Sequence, residues 1–284
     1  MKIEETLQSK KRAVEDALIR LLPQGDSLLI QAIRYAVLSG GKRFRPLLAL
    51  SSGATFGLSQ EVILPFACAV ELIHNYSLIH DDLPVMDDDD SRRGKPSCHK
   101  AFREDIALLA GDALLTLAFE IIASAPVEKE HFSKKERFIK EIGQNAGING
   151  MVGGQFLDIT LMPDDLSEER LLELIERKTG ALILASVKVG PIFAEAAPSE
   201  FSSMVEYGRN LGMAFQIRDD ILDFPETSSP SSPVRPNAAS FFGLDEAKKR
   251  LEDHVRRAIE ALDQASLASE ELRFLASKLL EIEK

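Results

Sequence analysis

Cysteine is scarce: Cys68 and Cys98 are the two in 284 residues. Two cysteines make no disulfide framework, and a reducing compartment is the default. Cations are in deficit as well. Lys and Arg number 34 against 45 Asp and Glu, for a formal net charge of −11. A broadly acidic surface argues against a nucleic-acid binder and against a partner of anionic membranes. Any anionic substrate must be met by a local basic patch or by metal ions. The most apolar long stretch, IALLAGDALLTLAFEIIASA at 106–125, still contains Asp112 and Glu120. A membrane span rarely accepts two acids, so this stretch reads as a buried helix, with no membrane insertion. The start of the chain is charged throughout and does not read as a signal peptide, which makes a soluble cytoplasmic protein the expectation. Period-two alternation is nearly absent, and with it the expectation of a sheet.

Helical spacing of apolar residues is what the chain has in abundance. It predicts helices over 3–22, 26–38, 46–57, 61–82, 103–124, 134–150, 151–162, 167–178, 180–195, 199–223, 244–264 and 268–283. Gly40 and Gly41 end the second of these, and Pro46 suits a first turn. Ser59 and Ser167 read as caps, and Ser133 with Glu136 as a capping box. PETSSPSSPVRPNAAS at 225–240 is rich in Ser and Pro and reads as a lid or disordered loop, not as a domain linker. The expected class is all-α, one domain over 1–284.

The chemistry concentrates in HDDLPVMDDDDSRRGKP at 80–96, where six aspartates fall within ten residues. Asp81 and Asp82 stand at the C-terminal end of an apolar helix, which Pro84 should end. A helix C-terminus carries partial negative charge, so acids there are misplaced by roughly 0.3–1 kcal/mol each. The chain repeats the arrangement in MAFQIRDDILDFP at 213–225, where Asp219, Asp220 and Asp223 precede Pro225. Asp219 and Asp223 share a face and repel by about 0.2–0.5 kcal/mol. Divalent cations remove both penalties, and oxygen ligands without nearby cysteine suit Mg²⁺. An acid run is usually a solvated face, and Asp89 and Asp90 keep that reading. A calcium loop fails, because Lys100 falls where a glutamate is needed.

Mg²⁺ held by carboxylates implies a phosphate ligand, and two basic motifs supply counter-charge. One is SGGKRFRP at 39–46, with Lys42, Arg43 and Arg45; the other is Arg92, Arg93 and Lys95. Arginine forks suit phosphate oxygens. Neither motif has P-loop spacing. The His80–Asp81 pair leaves a metal-dependent phosphohydrolase as an alternative, though that reading leaves the 219–223 triad unexplained.

These residues resemble the trans-isoprenyl diphosphate synthase (polyprenyl synthetase) family. The resemblance runs through GGKRFRP, ELIHNYSLIHDDLPVMDDDDSRRGKPSCH, ALLAGDALLTLAFE, GMVGGQFLDI, ERKTGALI, MAFQIRDDILDF and FFGLDEAK, nearly the whole chain. It implies an all-α bundle around a central cavity, usually a homodimer, with two aspartate motifs facing across that cavity. Metal ligands are then Asp81, Asp82 and Asp87 with Asp88 as a helper, and Asp219 and Asp223. Magnesium is the implied cofactor, three ions with substrate bound. Asp81, Asp82, Asp87, Arg92, Lys178, Asp219 and Asp220 are the implied catalytic set. Arg92, Lys178, Thr179 and Gln216 would address an allylic diphosphate; Lys42, Arg45, His74 and Arg93 would address isopentenyl diphosphate. Gln155 and Asp158 would line the same cavity. The implied reaction is head-to-tail condensation through an allylic cation. Tyr76 lies about 7.5 Å down the helix from Asp81 at 1.5 Å per residue and can act as a floor, with Ser77 one turn below the aspartate. An aromatic there, with the insertion in DDLPVMD, fits the farnesyl-type enzymes; geranyl and geranylgeranyl products are the alternatives. A terpene cyclase ranks low, since Asp223 stands where it needs Ser or Thr. The chain departs from the family in its short, lysine-free 225–240 loop, where Arg235 is the one candidate replacement, and in its LLEIEK end. A scaffold subunit without turnover is the non-enzymatic alternative.

Overall fold

A computed structural model describes residues 2–126, 132–224 and 237–282. The chain falls into two units, Met1–Leu50 with Ser59–Ile139, and Ser51–Leu58 with Lys140–Lys284. The expected loop at 225–240 lies mostly outside the described residues, as does Pro225.

In the first unit, α1 (Lys2–Leu21), α2 (Leu28–Leu38), most of α3 (Phe44–Thr55) and α6 (Glu104–Ser124) accompany α4 (Gln60–Asp81). α4 packs against α1, α2 and α6. It is apolar on nearly every side, and Phe66, Leu72 and Ile73 are completely buried. α6 does not follow expectation in full. It buries Ala107, Ala110, Leu114, Ala118 and Ile122, yet Leu108 and Leu109 are 47% and 52% exposed. By length and composition alone α4 and α6 could cross a membrane. α4 instead carries the buried Glu71 in the middle of the core.

Two elements in this unit were not expected. A hairpin forms between β1 (Ser91–Arg92) and β2 (Lys95–Pro96), followed by the short α5 (Cys98–Phe102). Arg93 and Gly94 make its two-residue loop with φ of 55° and 72°. Left-handed dihedrals at both positions match the twist of a tight hairpin, and glycine adopts one of them without strain. Strands of two residues leave no alternation to read.

The second unit is built on α11 (Pro198–Asp223), which packs on α10 (Ala181–Phe193) and α13 (Leu244–Gln264). Around them lie α8 (Met151–Thr160), α9 (Glu168–Ile175), α12 (Ala238–Phe242) and α14 (Glu270–Ser277). α7 (Phe132–Ala146) has its last turns here. Tyr207 of α11 is completely buried and donates its hydroxyl to the Leu272 carbonyl at 2.8 Å. The expected helices over 167–178 and 180–195 are joined without a break by a π turn, Glu176–Gly180. π turns concentrate at functional sites because the extra residue re-aims neighbouring side chains.

Among the expected caps, Ser167 accepts the Arg170 N–H at 3.3 Å. Ser59 holds the N-cap position of α4 without a side-chain bond. The Ser133 capping box is not formed: α7 begins at Phe132, so Ser133 lies within the first turn. Ser27, Asn237 and Ser269 are caps that the sequence reading did not identify.

Candidate active-site residues

α4 ends at Asp81, and Asp82 is its C-cap. The chain then folds back. The Asp87 N–H donates to the Asp81 carbonyl at 2.9 Å, and the Asp88 N–H to Leu83 at 3.1 Å. The insertion in DDLPVMD therefore returns Asp87 to the end of the helix beside Asp81. Asp82 is buried, and Arg92 grips it as a fork: Nε lies 3.0 Å from Oδ1 and Nη2 donates to the same oxygen. Arg92 also reaches Asp89 Oδ2 at 2.9 Å. Burial pushes the Asp82 carboxyl above its ordinary range, and Arg92 opposes that. A carboxylate offers about four lone-pair positions, so this fork leaves acceptor capacity.

The basic motif divides. Arg43, flanked in sequence by exposed Lys42, turns into the core. Its Nη1 pairs with Glu71 Oε1 at 2.8 Å and its Nη2 donates to the Val37 carbonyl at 2.8 Å. Arg43 is therefore structural. Arg93 on the hairpin loop donates to the Gly40 carbonyl at 2.5 Å, tying the second basic motif to the Gly-Gly turn. His74 sits in the field of Arg45, Arg93, Arg92 and Arg43. Removal from water and those cations hold its imidazole well below the usual range, so it is neutral near pH 7. Of these cations, Arg43 is already paired with Glu71 and Arg92 with Asp82 and Asp89; a polyanion is the ligand that the cationic surroundings of this neutral histidine favour. His80, half of the His-Asp pair, places Nε2 3.0 Å from the Leu108 carbonyl. Tyr76 is buried, stacks edge-on against His80 at 5.7 Å, and has its hydroxyl pushed up to about 12 by burial and Asp81. Ser77 donates to the His74 carbonyl at 2.9 Å.

In the second unit, Asp219, Asp220 and Asp223 occupy the last turns of α11. Asp220 is buried; Oδ1 accepts Gln216 Nε2 and Oδ2 accepts the Ala238 N–H, each at 2.7 Å. Burial pushes its carboxyl up to about 6, with Asp219 and Asp223 adding to the rise and the two hydrogen bonds opposing it. Gln216 in turn accepts the Thr179 hydroxyl at 2.5 Å. Lys178 pairs with Asp158 Oδ2 at 2.5 Å. The π turn thus presents two consecutive residues to two different polar partners. A Cβ on Gly154 would meet the Lys178 backbone nitrogen at 2.2 Å, so only glycine lets α8 approach this turn. Arg218 Nη1 lies 3.6 Å from Asp219 Oδ1. Arg235 lies outside the described residues.

Within each unit the aspartate donors suit a hard cation. Asp81 and Asp87 in the first unit, and Asp219 and Asp223 in the second, offer oxygen alone. Gln155 on α8 supports a ligand nearby: both its amide atoms are buried with no partner among the described residues. A buried unpaired amide costs about 1–3 kcal/mol unless a bound group takes it. The sequence reading missed the Ala238 N–H and the Asn237 cap. An Asn just before AASFF was a readable helix-start signal.

The polyprenyl synthetase family model matches residues 26–232. A farnesyl diphosphate synthase of Geobacillus stearothermophilus is 39% identical over 285 residues, covering 97% of this chain and 96% of that protein. A geranylgeranyl diphosphate synthase of Cyanophora paradoxa is 40% identical over 266 residues, covering 90% and 88%. Among solved structures, an FPP/GFPP synthase from Zymomonas mobilis in its apo form superposes with a TM-score of 0.89 at 33% identity, over 98% of this chain and 99% of that one.

Proposed function

Since the chain belongs to the polyprenyl synthetase family, we propose that it is a farnesyl diphosphate synthase. It would join dimethylallyl or geranyl diphosphate to isopentenyl diphosphate, head to tail. The observation that supports the substrate class is the cationic surroundings of neutral His74, where Arg45 and Arg93 act beside Arg92, itself paired with Asp82. In this reading Lys42, Arg45, His74 and Arg93 bind the isopentenyl diphosphate, which need not ionise. Arg92, Lys178, Thr179 and Gln216 bind the allylic diphosphate, which must. Asp81, Asp82 and Asp87, with Asp219 and Asp223, hold Mg²⁺, three ions with substrate bound. When bound, Mg²⁺ neutralises the charge that builds on the departing diphosphate.

The carbon–oxygen bond of the allylic substrate breaks, with both electrons going to the diphosphate. Arg92 and Lys178 gain interaction energy as that charge develops, which is stabilisation of the transition state rather than of bound substrate. The isopentenyl double bond attacks the allylic cation, and a proton then leaves to the released diphosphate. Apolar helix walls exclude the water that would quench the cation. Asp220 acts by orientation: its two hydrogen bonds fix Gln216 and the start of α12. Residues 1–284 are read as one catalytic domain, as the family resemblance implies. The exposed Leu108 and Leu109 on α6 fit a second copy of the chain in a soluble, cytoplasmic homodimer.

Tyr76 supports a C15 product. Its buried ring, below Asp81 on α4, would stop a growing chain. A second reading, a C20 product, rests on the similarity to the Cyanophora paradoxa protein. Purified protein with isopentenyl and geranyl diphosphates and Mg²⁺ tests the proposal by product mass. A C15 product that needs metal is expected. Phosphate release without chain growth, or no reaction, refutes it.

A further inference from the structure

Asp88 and Asp90 stand just before β1, and His99 stands in the first turn of α5, just after β2. One ligand atom from each comes within 4.8 Å of the other two. Exposed acids alone would mean little. His99 differs, because it is only 6% exposed. Its Nδ1 lies 3.1 Å from Ser97 Oγ, while its Nε2 is buried with no partner among the described residues. An imidazole nitrogen removed from water and left unused is costly unless something takes its lone pair. The strands' flanks are already tied here, since the Ser97 N–H donates to the Asp90 carbonyl at 3.0 Å.

We propose that Asp88, Asp90 and His99 form a divalent-cation site at the base of the hairpin, which shares with the two aspartate motifs Asp88 alone, the helper of the first. Imidazole with two carboxylates suits a borderline transition ion such as Zn²⁺, with water completing its shell, whereas Mg²⁺ prefers oxygen alone. The ion clips together the two ends of a loop that carries Arg92 and Arg93. Binding to this folded arrangement and not to the open loop stabilises the hairpin by mass action. Lys100 competes: its Nζ lies 2.7 Å from Asp90 Oδ1, on a side chain 43% exposed. An exposed ammonium yields at little cost.

The test uses metal-stripped, full-length protein with no diphosphate present. Co²⁺ is titrated by its visible d–d absorption, and Zn²⁺ by competition with it. The site takes one Co²⁺ per chain. His99→Asn and Asp90→Asn each raise Kd roughly tenfold or more. Lys100→Ala lowers it. Asp90 is exposed, so its variant reports even where the His99 variant fails to fold. Co²⁺ binding unaltered by Asp90→Asn overturns the proposal. So does a signal lost instead in Asp223→Asn, which assigns the ion to the second aspartate motif. Neither outcome depends on prenyl transfer, so failure here is distinct from failure of the proposed reaction.

Discussion

Asp220→Asn should make the metal-free protein more stable at pH 8, with about a third of that gain at pH 4.5. The wild-type carboxyl is buried among acids and titrates at about 6 rather than at its ordinary 3.8. Below 3.8 it is protonated in both the folded and the unfolded chain, and its contribution is fully favourable. As pH rises through about 6 the folded state must ionise it at a cost, and that contribution is lost. At 1.36 kcal/mol per pH unit the cost reaches about 3 kcal/mol at pH 8. Asparagine removes it. The amide keeps the Ala238 N–H by its oxygen, and its NH₂ donates to Gln216 once that side chain flips. The flipped Gln216 then donates to Thr179, whose hydroxyl also accepts. At about 2 °C per kcal/mol for a chain of this size, the gain is about 6 °C in melting temperature. Thermal melts of both proteins in EDTA at pH 4.5 and 8 measure it. A gap that does not widen with pH would refute the reasoning, because burial would then not govern Asp220.

Tyr76→Ala should lengthen the product beyond C15 with geranyl diphosphate as starter, seen by mass spectrometry; an unchanged product removes Tyr76 as the floor. Gly154→Ala should destabilise by about 1–3 kcal/mol or more, since the clash is with backbone. It should also raise KM for the allylic substrate by displacing Lys178; denaturation with parallel kinetics checks both. Arg43→Ala should cost about 3–5 kcal/mol by leaving Glu71 buried and unpaired, measured by urea unfolding. His254 donates its Nδ1–H to Asn210 Oδ1 at 2.9 Å, and burial and Arg257 hold it below the ordinary imidazole range. Its contribution is present above pH 6.5 and is lost as pH falls below that value, so His254→Gln should flatten the acid limb of stability.

The sequence by itself determined the helices, their order and most of their ends. Periodicity, caps and proline act over a few residues, so Ser167 and the end of α4 before Pro84 could be read directly. It also determined that two acid clusters terminate apolar helices, and that a basic turn and basic residues following the first cluster accompany them. Tertiary structure decided which charges serve which purpose. Arg43 and Arg45 are two apart in a single motif, yet Arg43 is spent on Glu71, 28 residues away. Asp219 and Asp220 are adjacent, yet Asp220 is buried on Gln216 and Ala238 while Asp219 faces outward beside Arg218. Lys178 meets Asp158 through a π turn that no local pattern announced. The hairpin and His99's buried nitrogen were equally silent. The reason is range: helix formation is settled between near neighbours along the chain, while the partner of a buried charge is settled by whichever distant element packs against it.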